Sequence, residues 1–129
     1  MTDSKENIRQ YLIDTGREIV ETKGLEFLTA RKLSEASGCS VGTIYNQFSN
    51  MDNLVTEINI QTLSNLYGLM KKVRPSSKAY NNLNAYIDVF VSFVLSNANL
   101  WFMLYEYHMH TKELPLRYKG MIVRLIQLW

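Results

Sequence analysis

Eight residues, Ser40 to Gln47, hold the side chains with the clearest chemical potential in this 129-residue chain. The segment reads SVGTIYNQ, and Ser40 is a residue type that caps a helix N-terminus. In the helix that would follow, Val41, Ile44 and Phe48 fall at i, i+3 and i+7, the spacing of a buried stripe, while Gly42, Thr43, Asn46 and Gln47 share the opposite face. That opposite face is small, polar and uncharged. An amide side chain can donate to and accept from adenine at once, a threonine methyl can touch a thymine methyl, and glycine lets the backbone come close to a partner. Such a helix suits a DNA groove. A solvated helix pair in an ordinary bundle has a polar outer face too, so spacing alone leaves both readings open.

The residues before it supply a means of positioning it. Thr29 is a good N-cap, Leu33 and Ala36 face one side, and Gly38 stands where a helix ends in a left-handed residue, so a first helix is expected over about 29 to 37. Thr29 to Phe48 then forms two short helices around a tight turn, the arrangement in which a second helix presents its N-terminal part to base edges.

The run Gly24 to Leu54, GLEFLTARKLSEASGCSVGTIYNQFSNMDNL, resembles the DNA-binding signature of the TetR family of bacterial transcriptional regulators. The resemblance covers about residues 5 to 55. It rests on Gly24 with an aromatic soon after, the threonine-led helix start, the Ala-to-Ser turn, Gly42-Thr43-Ile44-Tyr45, Phe48, and Ser49 with Leu54. It implies that Arg31 lies near a phosphate, that Ser40, Gly42, Thr43 and Asn46 face bases, and that the Tyr45 hydroxyl meets the DNA backbone. The whole candidate DNA-facing set is Thr29, Ala30, Arg31, Lys32, Ser40, Val41, Gly42, Thr43, Tyr45, Asn46 and Gln47. Two positions depart from the family pattern: Met51 stands where a phosphate-contacting Lys is common, and Cys39 where Val is usual.

Composition, 47% hydrophobic and 20% charged, describes one globular unit or a small domain plus part of a second. No stretch of 18 apolar residues occurs, and the polar start MTDSKENIRQ has neither a signal peptide's pattern nor an anchor's. A cytoplasmic protein without a membrane partner is expected. Cys39 is the one cysteine, without a disulfide partner or metal-ligand spacing, and reads as a small buried side chain.

Other helices are expected around the motif. A first one should run from Asp3 or Ser4 to Lys23, stopped by Gly24, with Ile8, Leu12, Ile19 and Val20 inward and Gly16 placed for close packing. Ser49 to Asp52 has capping-box spacing, and Leu54, Val55, Ile58, Thr62, Leu66, Leu69 and Val73 sustain a long helix that Pro75 ends. From Ser76 or Ser77 to about Asn97, Tyr80, Leu83, Ile87, Phe90 and Val94 recur at helical spacing, widened by Tyr86, Val89 and Phe93, which predicts burial on more than one side. Leu100 to Met109 reads as helix, Thr111 to Pro115 as a break, and Leu116 to Trp129 as a last amphipathic stretch.

Tyr86, Phe90, Phe93, Trp101, Phe102, Tyr105, His108 and Met109 are the residues that could line a cavity for a flat or lipophilic effector, although core packing explains any one of them as well. The resemblance supports such a pocket, because family bodies bind small molecules. His108 and His110 lie two apart and point to different helix faces, so no metal site is expected. No nucleophile triad, phosphate loop or carboxylate pair stands out, so neither an enzyme nor a cofactor is expected.

The expectation is an all-α protein in three parts. Residues 1–48 form a three-helix, helix-turn-helix DNA-binding domain, 49–75 a connecting helix, and 76–129 a helical regulatory body. That body lacks the final helices through which family members pair, which suggests truncation or shortening. The expected function is a transcriptional regulator, most often a repressor, that binds a palindromic operator in double-stranded DNA as a homodimer and is released by a small lipophilic or aromatic effector. The alternative is a helical protein–protein interaction module whose motif does not read DNA. Residues 1 to 74 contain nine Lys or Arg and nine Asp or Glu, so the DNA-binding part is neutral and shows no basic stripe. Affinity should therefore lean on Arg31, Lys32, hydroxyls and helix N-termini at phosphates. Binding measured against salt concentration should show a shallow slope, on the order of two to four released counterions per monomer. The steep slope of a heavily basic protein would contradict this reading.

Overall fold

Apolar residues recur at helical spacing along most of the chain, and helices result. The structure, a computed structural model, describes residues 2–74, 78–110 and 116–128, with the backbone alone for 2–6, 79–80, 107–110 and 118. The order is α1 (Thr2–Lys23), a 3-10 turn (Leu25–Phe27), α2 (Ala30–Ser37), α3 (Val41–Phe48), α4 (Met51–Lys71), α5 (Ala79–Ser96), α6 (Ala98–His110) and α7 (Leu116–Gln127). No strand occurs among the described residues. The expected all-α class is what the chain adopts. The expected break over Thr111 to Pro115 and the start at Ser76 or Ser77 lie outside the described residues.

One core organises the N-terminal half. Leu12, Ile13 and Val20 of α1 meet Leu33 of α2, Ile44 and Phe48 of α3, and Leu54 and Ile58 of α4, with Leu28 closing the cluster. Each fully buried side chain of this size contributes roughly 1.5–3 kcal/mol of transfer free energy. Leu100 and Met103 of α6 join the same cluster, so a helix from the C-terminal half reaches into the core that supports the motif. Gly16 explains how α1 and α4 approach so closely. A Cβ there would stand 3.2 Å from Ile58 Cδ1 and 3.6 Å from Leu54 Cδ2, so the glycine in mid-helix answers a packing need.

Four expectations need correction. Val41 does not extend the buried stripe of α3: it is 40% exposed, and only Ile44 and Phe48 are enclosed, because the first turn of α3 lies at the edge of the core. The cap of α4 is Asn50 rather than Ser49; Asn50 Oδ1 accepts from the Asn53 amide at 2.8 Å. Ser49 instead ends α3 at φ 68°, with its N–H on the Tyr45 carbonyl. On α4, Leu69 is exposed while Leu63 and Met70 are buried, since one face of this helix serves the motif core and a rotated face serves the body. Finally, α5 is buried on one side only. Phe93 is enclosed, with Tyr86, Val89 and Phe90 packed beside it, but Leu83, Ile87, Val91 and Leu95 face outward. α5 packs chiefly on α4 and on α6, which leaves it at a 94° bend, and Leu125 of α7 joins only the cluster around Phe93, so the opposite face stays open. No single helix among the described residues is long and apolar enough to cross a membrane, although α5 and α6 would pass that test as a bent pair.

Candidate nucleic-acid interface

The motif helices are short, and side chains fix their ends. Thr29 in extended conformation accepts the Lys32 amide at 3.1 Å, opening α2, and Gly38 at φ 76° closes it with its N–H on Ser34. A side chain at that φ would be strained, which accounts for glycine at the turn. The turn is tied from within: Ser34 Oγ donates to the Cys39 carbonyl at 2.6 Å, and the Cys39 amide donates to Ser37 Oγ at 3.1 Å. Tyr11 of α1 adds a clamp from outside, its hydroxyl donating to the Ser37 carbonyl at 2.9 Å.

Ser40 then opens α3 by accepting the Thr43 amide at 3.1 Å, and the two hydroxyls of Ser40 and Thr43 lie 2.9 Å apart. One of the two hydroxyl protons is used between them; the other is available to an acceptor outside the protein. At the far end, the terminal carbonyls of α3 have no helical donors. Arg9 of α1 supplies one, donating through Nη1 to the Gln47 carbonyl, and Asn53 Nδ2 donates to the Phe48 carbonyl at 2.6 Å. The Arg9 guanidinium also lies 4.5 Å from the centroid of the Phe48 ring, within cation–π range.

With both ends held, the outer face of α3 is free. Ser40, Val41, Gly42, Tyr45 and Asn46 are exposed, and Thr43 and Gln47 are half-buried. No hydrogen bond among the described residues uses the side chains of Tyr45 or Asn46. A Cβ on Gly42 would meet nothing nearer than Ser40 Oγ at 3.8 Å, so the fold itself does not require glycine there. On α2, Thr29, Arg31 and Lys32 are exposed and Ala30 half-buried. Arg31 Nε donates to Glu35 Oε1 at 3.2 Å, and Lys32 Nζ lies 4.0 Å from Glu35 Oε2. Both cations are well solvated, and such exposed pairs contribute at most about 1 kcal/mol, so a phosphate can take them from Glu35. The sequence reading did not single out Arg9, Tyr11 or Asn53 for these roles. Their partners are backbone carbonyls 26 to 38 residues away for the first two, and no local pattern announces such a bond.

A second feature lies behind the motif. An apolar pocket of about 320 Å³, open to one side, is lined by Leu63, Leu66 and Met70 of α4, Phe90 of α5, Trp101, Leu104 and Tyr105 of α6, and Ile122 and Leu125 of α7. Of the aromatic set named from the sequence, Phe90, Trp101 and Tyr105 line it. Phe93 is buried against the Trp101 ring, edge-on at 6.3 Å, and Tyr86 packs on the Phe93 cluster. Phe102 faces away, beside Lys23, Gly24 and Asn99 in a separate cleft. The side chains of His108 and Met109 lie outside the described residues. The aliphatic walls from α4 and α7 escaped the sequence reading because Leu and Ile at helical spacing look like any core. No group of three His, Cys, Asp or Glu able to hold a metal occurs among the described residues.

Residues 12–58 match the family model described as bacterial regulatory proteins, tetR family. The chain is also 28% identical over 72 residues to the HTH-type transcriptional repressor KstR2 of Rhodococcus jostii (strain RHA1), an alignment that covers 56% of this chain and 35% of that protein. The chain thus spans about a third of the length of the curated relative it matches.

The open space at Gly42 has a measurable consequence. Gly42→Ala should leave the fold intact and raise the unfolding free energy by roughly 0.5 kcal/mol, because alanine is the better helix former. Chemical denaturation reads the change; a loss of stability would mean that Gly42 serves the fold after all.

Proposed function

We propose that this chain, which belongs to the TetR family of bacterial regulatory proteins through its residues 12–58, is a sequence-specific DNA-binding transcriptional regulator, a repressor that a small effector releases. The relative it resembles is named a transcriptional repressor. The observation that carries the reading is the outer face of α3, exposed, uncharged and free of duties inside the fold at Gly42, Tyr45 and Asn46. Laid in a major groove, its first turn brings Gly42 and Thr43 to base edges, and Asn46 and Gln47 offer paired donors and acceptors. Tyr45, Thr29, Arg31 and Lys32 stand to either side, where sugar-phosphate strands pass. A homodimer would present two such helices to half-sites about one helical turn apart, which calls for a palindromic operator.

Release follows from α6. One face of this helix, Leu100 and Met103, is part of the motif's core, and the other, Trp101, Leu104 and Tyr105, walls the cavity. The pocket volume lies at the lower end of ligand pockets, and its apolar walls suit a small lipophilic or aromatic molecule. A ligand that fits best when α6 is displaced would shift the population toward head positions that do not fit both half-sites. In this reading residues 1–48 are the DNA-binding part, 49–75 the connecting helix and 76–129 the regulatory body.

Two observations favour the alternative of a helical interaction module: residues 1 to 74 have no net charge, and the exposed Leu83, Ile87, Val91 and Leu95 offer an apolar surface. Selection of retained sequences from random duplex DNA, at low and at physiological salt, separates the two. Recovery of a palindrome by this chain, lost in a Tyr45→Ala, Asn46→Ala double variant of unchanged stability, supports the regulator. Sequence-blind retention that the double variant matches overturns it in favour of the interaction module.

A further inference from the structure

Glu57 of α4 stands where the motif meets the body. Its Oε1 accepts from Arg117 Nη1 of α7 at 2.7 Å and lies 3.5 Å from Arg9 Nη2 of α1. Arg9 in turn holds the Gln47 carbonyl and covers the Phe48 ring, both in the last turn of α3. Two guanidiniums and one carboxylate oxygen thus join α7 to the end of the helix with the outer polar face. The helix that contributes Arg117 also walls the apolar cavity, through Ile122 and Leu125.

We propose that Arg9, Glu57 and Arg117 form a relay that reports the position of α7 to α3, with Arg9 as the positioning residue. The physics is competition for one acceptor. The Gln47 carbonyl takes its donor from outside its helix, and the Glu57 side chain, 17% exposed, faces both guanidiniums. With Arg117 on Oε1 at 2.7 Å, Arg9 stands off at 3.5 Å through Nη2 and keeps Nη1 on the Gln47 carbonyl. When α7 moves and takes Arg117 with it, Arg9 is the cation left within salt-bridge distance of Glu57 among the described residues. Its Nη2, already 3.5 Å from Oε1, then closes on the carboxylate, and the shift of the guanidinium weakens the Nη1 bond to the Gln47 carbonyl and loosens the last turn of α3. That this loosening regulates DNA binding rests on the function proposed above; the relay itself does not.

The test uses the whole chain without DNA. Amide hydrogen exchange is followed residue by residue in Arg117→Ala, Glu57→Gln and the double variant. Arg117→Ala should speed exchange at Gln47, Phe48 and Ser49 about three- to fivefold, the scale of a partly exposed ion pair, and leave α2 unchanged. Arg117 is exposed and lies near the N-terminus of α7, where a cation does not help the helix, so α7 should persist. Arg117→Lys, which can still reach Glu57, should retain wild-type exchange. In the Glu57→Gln background Arg117→Ala should have no further effect. Unchanged exchange in α3, equal acceleration of α2 and α3, or an Arg117 effect that survives without the Glu57 charge would each overturn the relay. Failure of the duplex selection would leave this result standing, and the reverse also holds.

Discussion

A helix of eight residues does not hold itself together in water, and α3 is such a helix. Its shape is imposed from outside. Ser40 satisfies an amide at one end, Arg9 and Asn53 satisfy carbonyls at the other, and Ile44 and Phe48 anchor one side in a core built by α1, α2 and α4. Because those devices sit at the ends and on the inner face, the fold makes no contact that requires the outer-face residues Gly42, Tyr45 and Asn46. Those residues can be chosen for a partner. That separation leaves a small polar surface open to a partner at little cost to the fold, and it is the reason Gly42 can be read as a matter of approach rather than of packing.

The same core joins α3 to the rest of the molecule. Leu100 and Met103 belong to the cluster that supports α3, while their neighbours Trp101 and Leu104 wall a cavity against α4, α5 and α7. A packed core transmits displacement because it has few voids to absorb it. Glu57 adds a polar route beside this apolar one, since it touches α1 and α7 from α4. In the function proposed above, a neutral head would make such control effective: with little non-specific attraction to phosphate, affinity would depend on the fit of α3, and small changes in its placement would count.

Most of the motif is legible in the sequence because its determinants are local. Thr29, Gly38 and Ser40 act within three or four residues, so caps and turn follow from residue type and spacing, and the structure has α2 and α3 within a residue of the expected bounds. Gly24 likewise ends α1 at φ 103°. What escaped is long-range or depends on neighbours. Val41 has the right spacing for the stripe but lies at the rim of the core, and α5 has an apolar pattern on a face that nothing among the described residues covers. Ser49 and Asn50 are both capping types, and only the backbone at φ 68° for Ser49 decides between them. Arg9 and Tyr11 find their partners across the tertiary fold, out of reach of any periodicity. In the cavity, aromatic residues attracted notice while the aliphatic walls on α4 and α7 did not, because leucine spacing is the same in a cavity wall as in a core.

The most direct test is to titrate the isotopically labelled chain with a mixed-sequence duplex at low ionic strength and follow every backbone amide by NMR. The largest shifts should fall on Ser40 to Gln47 and on Thr29 to Lys32, with the outward face of α5 unaffected. Shifts absent from α3, or confined to Leu83, Ile87, Val91 and Leu95, would contradict the claim that the outer face of α3 is the DNA-reading surface.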